Sequence, residues 1–179
     1  MAKTPEEILE EARKHIGRET RSSQGRYPVE YDPIRRFCHM SGDANPLFLD
    51  PEYARKTKHG EVVCPPLFVG YFGSGGLWPP SQETTPKRAP ALPDVPTPGD
   101  KAINMSTDWE FFRPVKVGDR LSSVNRIADV FIKAIRLDPK AFWIVTEATY
   151  SNQYGEVVAK SRNTLLVHRS AEQQKADGN

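Results

Sequence analysis

Thiols are scarce in this chain. Cys38 and Cys64 are its only two cysteines. They form no CxxC pair and no histidine stands at metal-ligand spacing from them. Neither a zinc site nor a disulfide framework is indicated, and a reducing compartment is expected. Runs of Lys and Arg are lacking too, and with a formal charge of +2 nucleic acid is not the expected partner. No apolar run approaches the roughly 18 residues that a membrane span requires. The opening stretch MAKTPEEILE is acidic where a secretory signal would be apolar. The expectation is a soluble, cytoplasmic protein. One local gap bears on function: between Glu61 and Glu83 there is no Asp, Glu or His.

What is present suits one globular domain. Apolar residues make up 37% and charged residues 27% of 179 positions, and a chain of this length typically buries about 70% of its extended surface. A first helix is signalled within residues 1–17, where Thr4, Pro5 and Glu7 form a capping box with proline in the first turn. Ile8, Leu9, Ala12 and Ile16 share its face and Gly17 ends it. GRETRSSQGRYPVEY reads as loop or edge strand. Asp32-Pro33 opens a short helix with Ile34, Phe37 and Cys38 as its buried stripe, and Asp50-Pro51 opens another turn or two. In CPPLFVGYFGSGGLW a helix can begin at Pro65 or Pro66. It is apolar all round, as a helix buried on every side would be. Its four glycines, at 70, 73, 75 and 76, suggest an early end or the close approach of another backbone. Residues 79–104 carry seven of the 16 prolines and read as a long irregular loop.

The remainder reads as strands. MSTDWEFFRPVKVGD, RLSSVNRIADVFIKAIRL, AFWIVTEATYSNQ and GEVVAKSRNTLLVHR follow one another, with Asn152 to Gly155 turning the last pair into a hairpin. Phe142, Ile144, Thr146, Ala148 and Tyr150 share one face, while Trp143 and Val145 on the other suggest that both sides are covered. Residues 169–179 are polar and expected to be disordered. A buried helix followed by antiparallel strands is an α+β layout, a sheet wrapped around a helix. Its far face would be left bare, a need usually met by a second copy.

The set IRRFCHMSGDANPLFLDPEYARKT, VVCPPLF, FFRPVKVGDRL and ATYSNQYGEVVAKSRNTLLV, in that order, resembles the MaoC-like hot-dog dehydratases. It is closest to the group equivalent to the N-terminal halves of two-hot-dog hydratases. The resemblance covers most of residues 15–168 and implies a single hot-dog domain over 18–168. It further implies hydration of a trans-2-enoyl thioester, or the reverse dehydration, on CoA or acyl carrier protein, with no cofactor and no metal. In active members an Asp and a His with four residues between them hold a water, and an amide at the start of the central helix polarises the thioester carbonyl. Asp43 falls on the family's Asp. Phe48 falls on its His, and phenylalanine cannot move a proton. Losing one acid–base group typically costs about 10²–10⁴ in rate. The resemblance implies a heterodimer with a catalytic MaoC-like subunit, or a homodimer.

The candidate catalytic residues are Asp43, read as either a vestigial or a real polar site, and Asn45. Both also suit plain turn chemistry before Asn-Pro. Phe48, Pro66, Leu67, Phe68 and Arg113 are the candidate substrate contacts. Phe48 and the apolar run also suit plain core, or core that doubles as the wall of an acyl tunnel. Exposed amides at the start of that run would form an oxyanion site. Each of the basic residues Arg55, Lys56, Lys58, Lys87, Arg88, Arg113 and Lys116 also reads as a solvated charge, and Arg113 is preferred as a contact to CoA phosphate because it lies in a family motif. His39 and His59 are the substitutes for a missing base, and each also reads as a solvated histidine. Four functions compete. They are a hydratase subunit working with an active partner, a hot-dog acyl-CoA thioesterase, a non-enzymatic acyl-thioester binding module, and a self-sufficient hydratase using Asp43 alone. The acid-free interval from Glu61 to Glu83 argues against the thioesterase, which generally needs a carboxylate on or near the central helix.

Overall fold

A computed structural model describes residues 3–73 and 95–176. Helix α1 (Pro5–Arg13) opens on the expected box: the Thr4 hydroxyl accepts from the Glu7 amide at 3.3 Å, and the Glu7 carboxylate accepts from the Thr4 amide at 2.8 Å. Helix α2 (Tyr31–Ser41) closes on Gly42, whose φ of 72° is left-handed and favours glycine. Two short helices follow, α3 (Pro46–Leu49) and α4 (Pro51–Arg55), each with an Asx cap and proline in its first turn. The central helix is a 3-10 turn (Pro66–Phe68) continued by α5 (Val69–Phe72).

The strands are β1 (Ser23–Gln24), β2 (Lys101–Phe111), β3 (Ser122–Ile132), β4 (Phe142–Ser151) and β5 (Val157–His168). They form one sheet in the order β1-β3-β4-β5-β2, with every pairing antiparallel. The expected hairpin joins β4 to β5, closed by the Asn152 amide on the Glu156 carbonyl at 3.0 Å and by Gly155 at φ 77°. β3 is bulged between Ile127 and Asp129, and β2 between Asn104 and Ser106.

One face of the sheet carries both helical covers. The pairing of β4 with β5 is unbroken from Phe142–Val167 to Tyr150–Ala159, so alternate residues keep to one face throughout. At one end of that face Tyr150 and Ala159 join the core of α2, α3 and the central helix. At the other end Phe142, Ile144 and Val167 pack with Ala12 of α1, with Ile8 and Leu9 beside them. The amphipathic α1 is therefore a second cover beside the central helix. The outer face carries the stacked pair Phe131–Trp143, ring centroids 6.2 Å apart, and Glu147 bridged to Arg126 at 2.8 Å. Val145 and Leu166 are buried on that face all the same.

Four expectations change. The central helix is not buried on every side: Val69 and Phe72 are buried, but Leu67 and Tyr71 are 67% and 58% exposed. The irregular loop gives way to strand at Lys101, because pairing with β5 overrides the absence of apolar alternation; its residues 79–94, like Leu77 and Trp78, lie outside the described residues. The tail from 169 holds helix α6 (Ala171–Ala176). It also begins with Arg169, which is buried and not part of a solvated tail. No helix among the described residues is long and apolar enough to cross a membrane.

Arg169 explains why the chain past β5 is anchored. Its guanidinium donates to both Asp138 carboxylate oxygens, at 2.8 and 3.2 Å, and its backbone amide donates to one of them at 2.8 Å. Burial acts to raise the Asp138 carboxyl. The Arg169 guanidinium and the amides of Arg169 and Lys140 more than reverse that and hold it below the usual carboxylate range. Removing one partner leaves the other buried and unpaired, a loss of about 3–5 kcal/mol. Asp138→Ala should therefore lower the unfolding free energy obtained from urea titration by that amount. Because the folded value is depressed, the stabilisation is fully present above the unfolded carboxyl value of about 3.9 and is lost as pH falls through the folded one. Urea titrations at descending pH should show wild type approaching Asp138→Ala in stability only in that acid range.

Candidate active site

Asp43 follows the left-handed Gly42 at the end of α2. Its amide donates to the Cys38 carbonyl at 2.9 Å, and its Oδ1 accepts from the Asn45 amide at 3.0 Å. Asn45 in turn caps α3, accepting from the Leu47 amide at 3.0 Å. Both side chains thus do the turn chemistry their sequence context suggests. Half of the Asp43 carboxylate is left over: its Oδ2 makes no hydrogen bond among the described residues, and the residue is half-buried.

Phe48 sits on α3, five residues beyond Asp43, and is 8% exposed. It belongs to the cluster that also holds Ile34, Cys38, Cys64 and Val69. Hydrophobic burial holds the ring there, at the position where the resemblance places an imidazole.

Electrostatics tie this loop to the start of the central helix. The Cys38 thiol is pushed up by burial and then by the Asp43 carboxylate. The Cys64 thiol is pushed up by burial and then by Cys38. The loop acid, the end of α2 and the residue before Pro65 therefore lie within charge range of one another. Both thiols stay protonated at neutral pH, and neither is a nucleophile.

At that helix start Pro65 and Pro66 carry no amide hydrogen. The Phe68 amide donates to the Pro65 carbonyl at 2.9 Å, and the Val69 amide to that of Pro66. The Leu67 amide is the first one left without a carbonyl among the described residues. Phe68, half-buried, stacks on Phe37 at 4.5 Å and on Tyr71 at 4.7 Å. These rings form the floor of an open groove of about 410 Å³ between α2 and the central helix, bordered by Asp32, Arg36 and Met40.

Arg113 is not brought to the loop. It is exposed and pairs with Glu156 at 3.3 Å. Lys116 pairs with Glu61 at 3.0 Å. Arg55, Lys56 and Lys58 make no ion pair among the described residues; Lys87 and Arg88 lie outside them. His39 is exposed at the end of α2, and His59 is half-buried in the loop after α4.

Tyr150, Trp109 and Ser123 meet the central helix and were not singled out from sequence as site residues. A Cβ at Gly73 would sit 2.6 Å from the Tyr150 ring, and one at Gly70 would sit 3.4 Å from Trp109. The Ser123 hydroxyl donates to the Gly73 carbonyl at 3.1 Å. Burial raises the Tyr150 phenol and a hydrogen bond with Ser161 opposes it, so the phenol is a donor at neutral pH. The glycines of the central run were the available signal.

The profile of the FAS1-like dehydratase domain region matches residues 14–161. The chain belongs to this family. It is 30% identical over 149 residues to a probable enoyl-CoA hydratase alpha subunit of Thermomonospora curvata, a match covering 82% of this chain and 47% of that relative. The chain thus spans about half that protein's length. Among solved structures, it superimposes on a chain of the ChsH1-ChsH2 complex from Mycobacterium tuberculosis with TM-score 0.73 and 20% identity, covering 93% of this chain and 97% of that one. A MaoC-like dehydratase from Rhodospirillum rubrum matches with TM-score 0.61 and 20% identity, covering 86% and 92%. These likenesses establish the MaoC-like hot-dog fold.

The two roles open to the loop residues separate by mutation. Asn45→Ala should cost about 1 kcal/mol through the lost cap. Asp43→Asn keeps an Oδ1 acceptor and should change stability by less than about 0.5 kcal/mol. Urea unfolding of both variants checks this, and a large loss in Asp43→Asn would mean that the negative charge itself holds the loop.

Proposed function

We propose that this FAS1-like dehydratase-region protein is a subunit of an enoyl-CoA or enoyl-acyl-carrier-protein hydratase, equivalently a 3-hydroxyacyl-thioester dehydratase. It lacks its own catalytic histidine and works in the cytoplasm with an active hot-dog partner. The burial of Phe48 five residues beyond Asp43 carries this reading. Hydration places a hydroxyl on the β-carbon and a proton on the α-carbon. A base must take a proton from water, an acid must supply one, and donors must meet the enolate oxygen. Among the described residues, Asp43 Oδ2 accepts no hydrogen bond and the Leu67 amide, at the start of the central helix, has no acceptor. The second proton-transfer group is absent from the loop.

A partner is supported by the surface as well as by chemistry. Among the described residues β2 leaves one edge unpaired, and an exposed edge is a template for another strand. Phe111 and Phe112 at the end of β2 and Leu67 and Tyr71 of the central helix are all exposed. Trp109 joins the two groups, lying against Gly70 and stacking on Phe111 at 5.7 Å. An apolar band of this kind marks an interaction site. The names of the relatives point the same way, one being an alpha subunit and another a member of a two-protein complex. A non-enzymatic acyl-thioester binding module is the second reading, favoured by the same Phe48.

The test is made on the purified chain. Butyryl-CoA binding is measured by calorimetry and trans-2-enoyl-CoA hydration by absorbance. Binding without measurable turnover is expected. Turnover by the wild-type chain alone would contradict the missing-base account and direct attention to His39 and His59, whereas absence of binding would remove the acyl-thioester reading.

A further inference from the structure

The helix-facing side of the sheet changes character halfway along. Beyond Tyr150 and Ala159, successive residues of β4 and β5 on that face are Ala148 and Ser161, then Thr146 and Asn163, then Ile144 and Leu165, then Phe142 and Val167. Thr107 of β2 completes the middle row, its hydroxyl donating to the Asn163 carbonyl oxygen at 2.8 Å. Small and polar side chains thus cross two central strands between two apolar clusters. Central strands facing a helical layer ordinarily present apolar side chains there. The Thr146 hydroxyl and the Asn163 amide nitrogen make no hydrogen bond among the described residues.

Directly beyond this belt lies a cavity of about 320 Å³. Its floor is Ile127, Ile144, Leu165 and Val167, with Thr146 at the edge next to the belt. Its wall is the segment 95–100, held tightly in place. A Cβ at Gly99 would collide with the backbone of His168, and the Gln173 side chain donates to the Pro98 carbonyl at 3.4 Å.

The geometry points to a ligand subsite for a long acyl group that carries a hydroxyl or carbonyl partway along. Its polar substituent is read by Thr146 and Asn163, and its apolar end fills the cavity. This rests on the acyl-thioester reading above and adds the class of acyl group. The belt lies four residues along β4 from Tyr150, about 14 Å at roughly 3.4 Å per residue, so a short acyl group would not reach it. A plain alkyl chain laid across the belt would strip water from Thr146 and Asn163 without replacing its hydrogen bonds, and sites built to bond a substrate hydroxyl discriminate strongly against analogues that lack it.

The test uses the full chain and calorimetric Kd values for three probes. They are butyryl-CoA, octadecanoyl-CoA, and octadecanoyl-CoA with a single mid-chain hydroxyl at successive positions. At one or more positions the hydroxylated thioester should bind at least about tenfold tighter than the unsubstituted one. Thr146→Val and Asn163→Leu, which suit half-buried strand positions, should each erase most of that preference and leave butyryl-CoA unchanged. Leu165→Trp, which fills the cavity, should weaken both long probes alone. Equal binding of the two long probes at every position, or a preference that survives Thr146→Val and Asn163→Leu, would overturn the inference. So would a lack of any gain over butyryl-CoA, with the acyl-thioester reading left standing. If butyryl-CoA does not bind, that reading falls and this one with it.

Discussion

Tyr150 reaches the central helix because residues 70 and 73 are glycine. Its ring occupies the space a Cβ at Gly73 would take, and Trp109 comes within van der Waals range of the same helix at Gly70. These contacts set how deeply the short helix sinks into the sheet. The Ser123 hydroxyl then meets the carbonyl that ends the helix, so the helix is fixed at its C-terminal end by the sheet itself. Its N-terminal end is fixed from the other side, where Phe68 stacks on Phe37 of α2. The loop bearing Asp43 leaves that same helix α2, so the position of the acid relative to the helix start follows from the glycine contacts.

Among the described residues, a helix seated in this way is covered on one side only. Val69 and Phe72 face inward while Leu67 and Tyr71 face out. The exposed side runs on through Trp109 and Phe111 to the unpaired edge of β2. Burial of Phe48 turns the loop position into core, stabilising the single chain where an imidazole would have required a hydrogen-bonding partner.

Local signals were legible in the sequence where chemistry is local. The Thr4–Glu7 box, the Asn45 and Asp50 caps and the Asn152–Gly155 hairpin all depend on residues within a few positions of one another, and each forms as its residues dictate. The order of motifs carried the hot-dog fold, and the spacing from Asp43 to Phe48 is what motivates the proposal of a missing base. Long-range pairings were not legible. Arg169 read as the start of a polar tail because its partner Asp138 is 31 residues away. Arg113 read as a contact to CoA phosphate, and nothing local announced its ion pair with Glu156. The start of β2 was hidden inside a proline-rich stretch because its strand character comes from pairing with β5. The glycines at 70 and 73 announced a close approach without naming Tyr150 as what approaches.

On the proposed reading Phe48 stands where an active hydratase keeps its second proton-transfer group, and Asp43 is retained. The most direct measurement is trans-2-enoyl-CoA hydration by Phe48→His, alone and combined with Asp43→Asn. The account predicts turnover in Phe48→His well above wild type, and its loss in the double variant. Turnover that persists without Asp43, or a wild-type rate equal to that of Phe48→His, would contradict it.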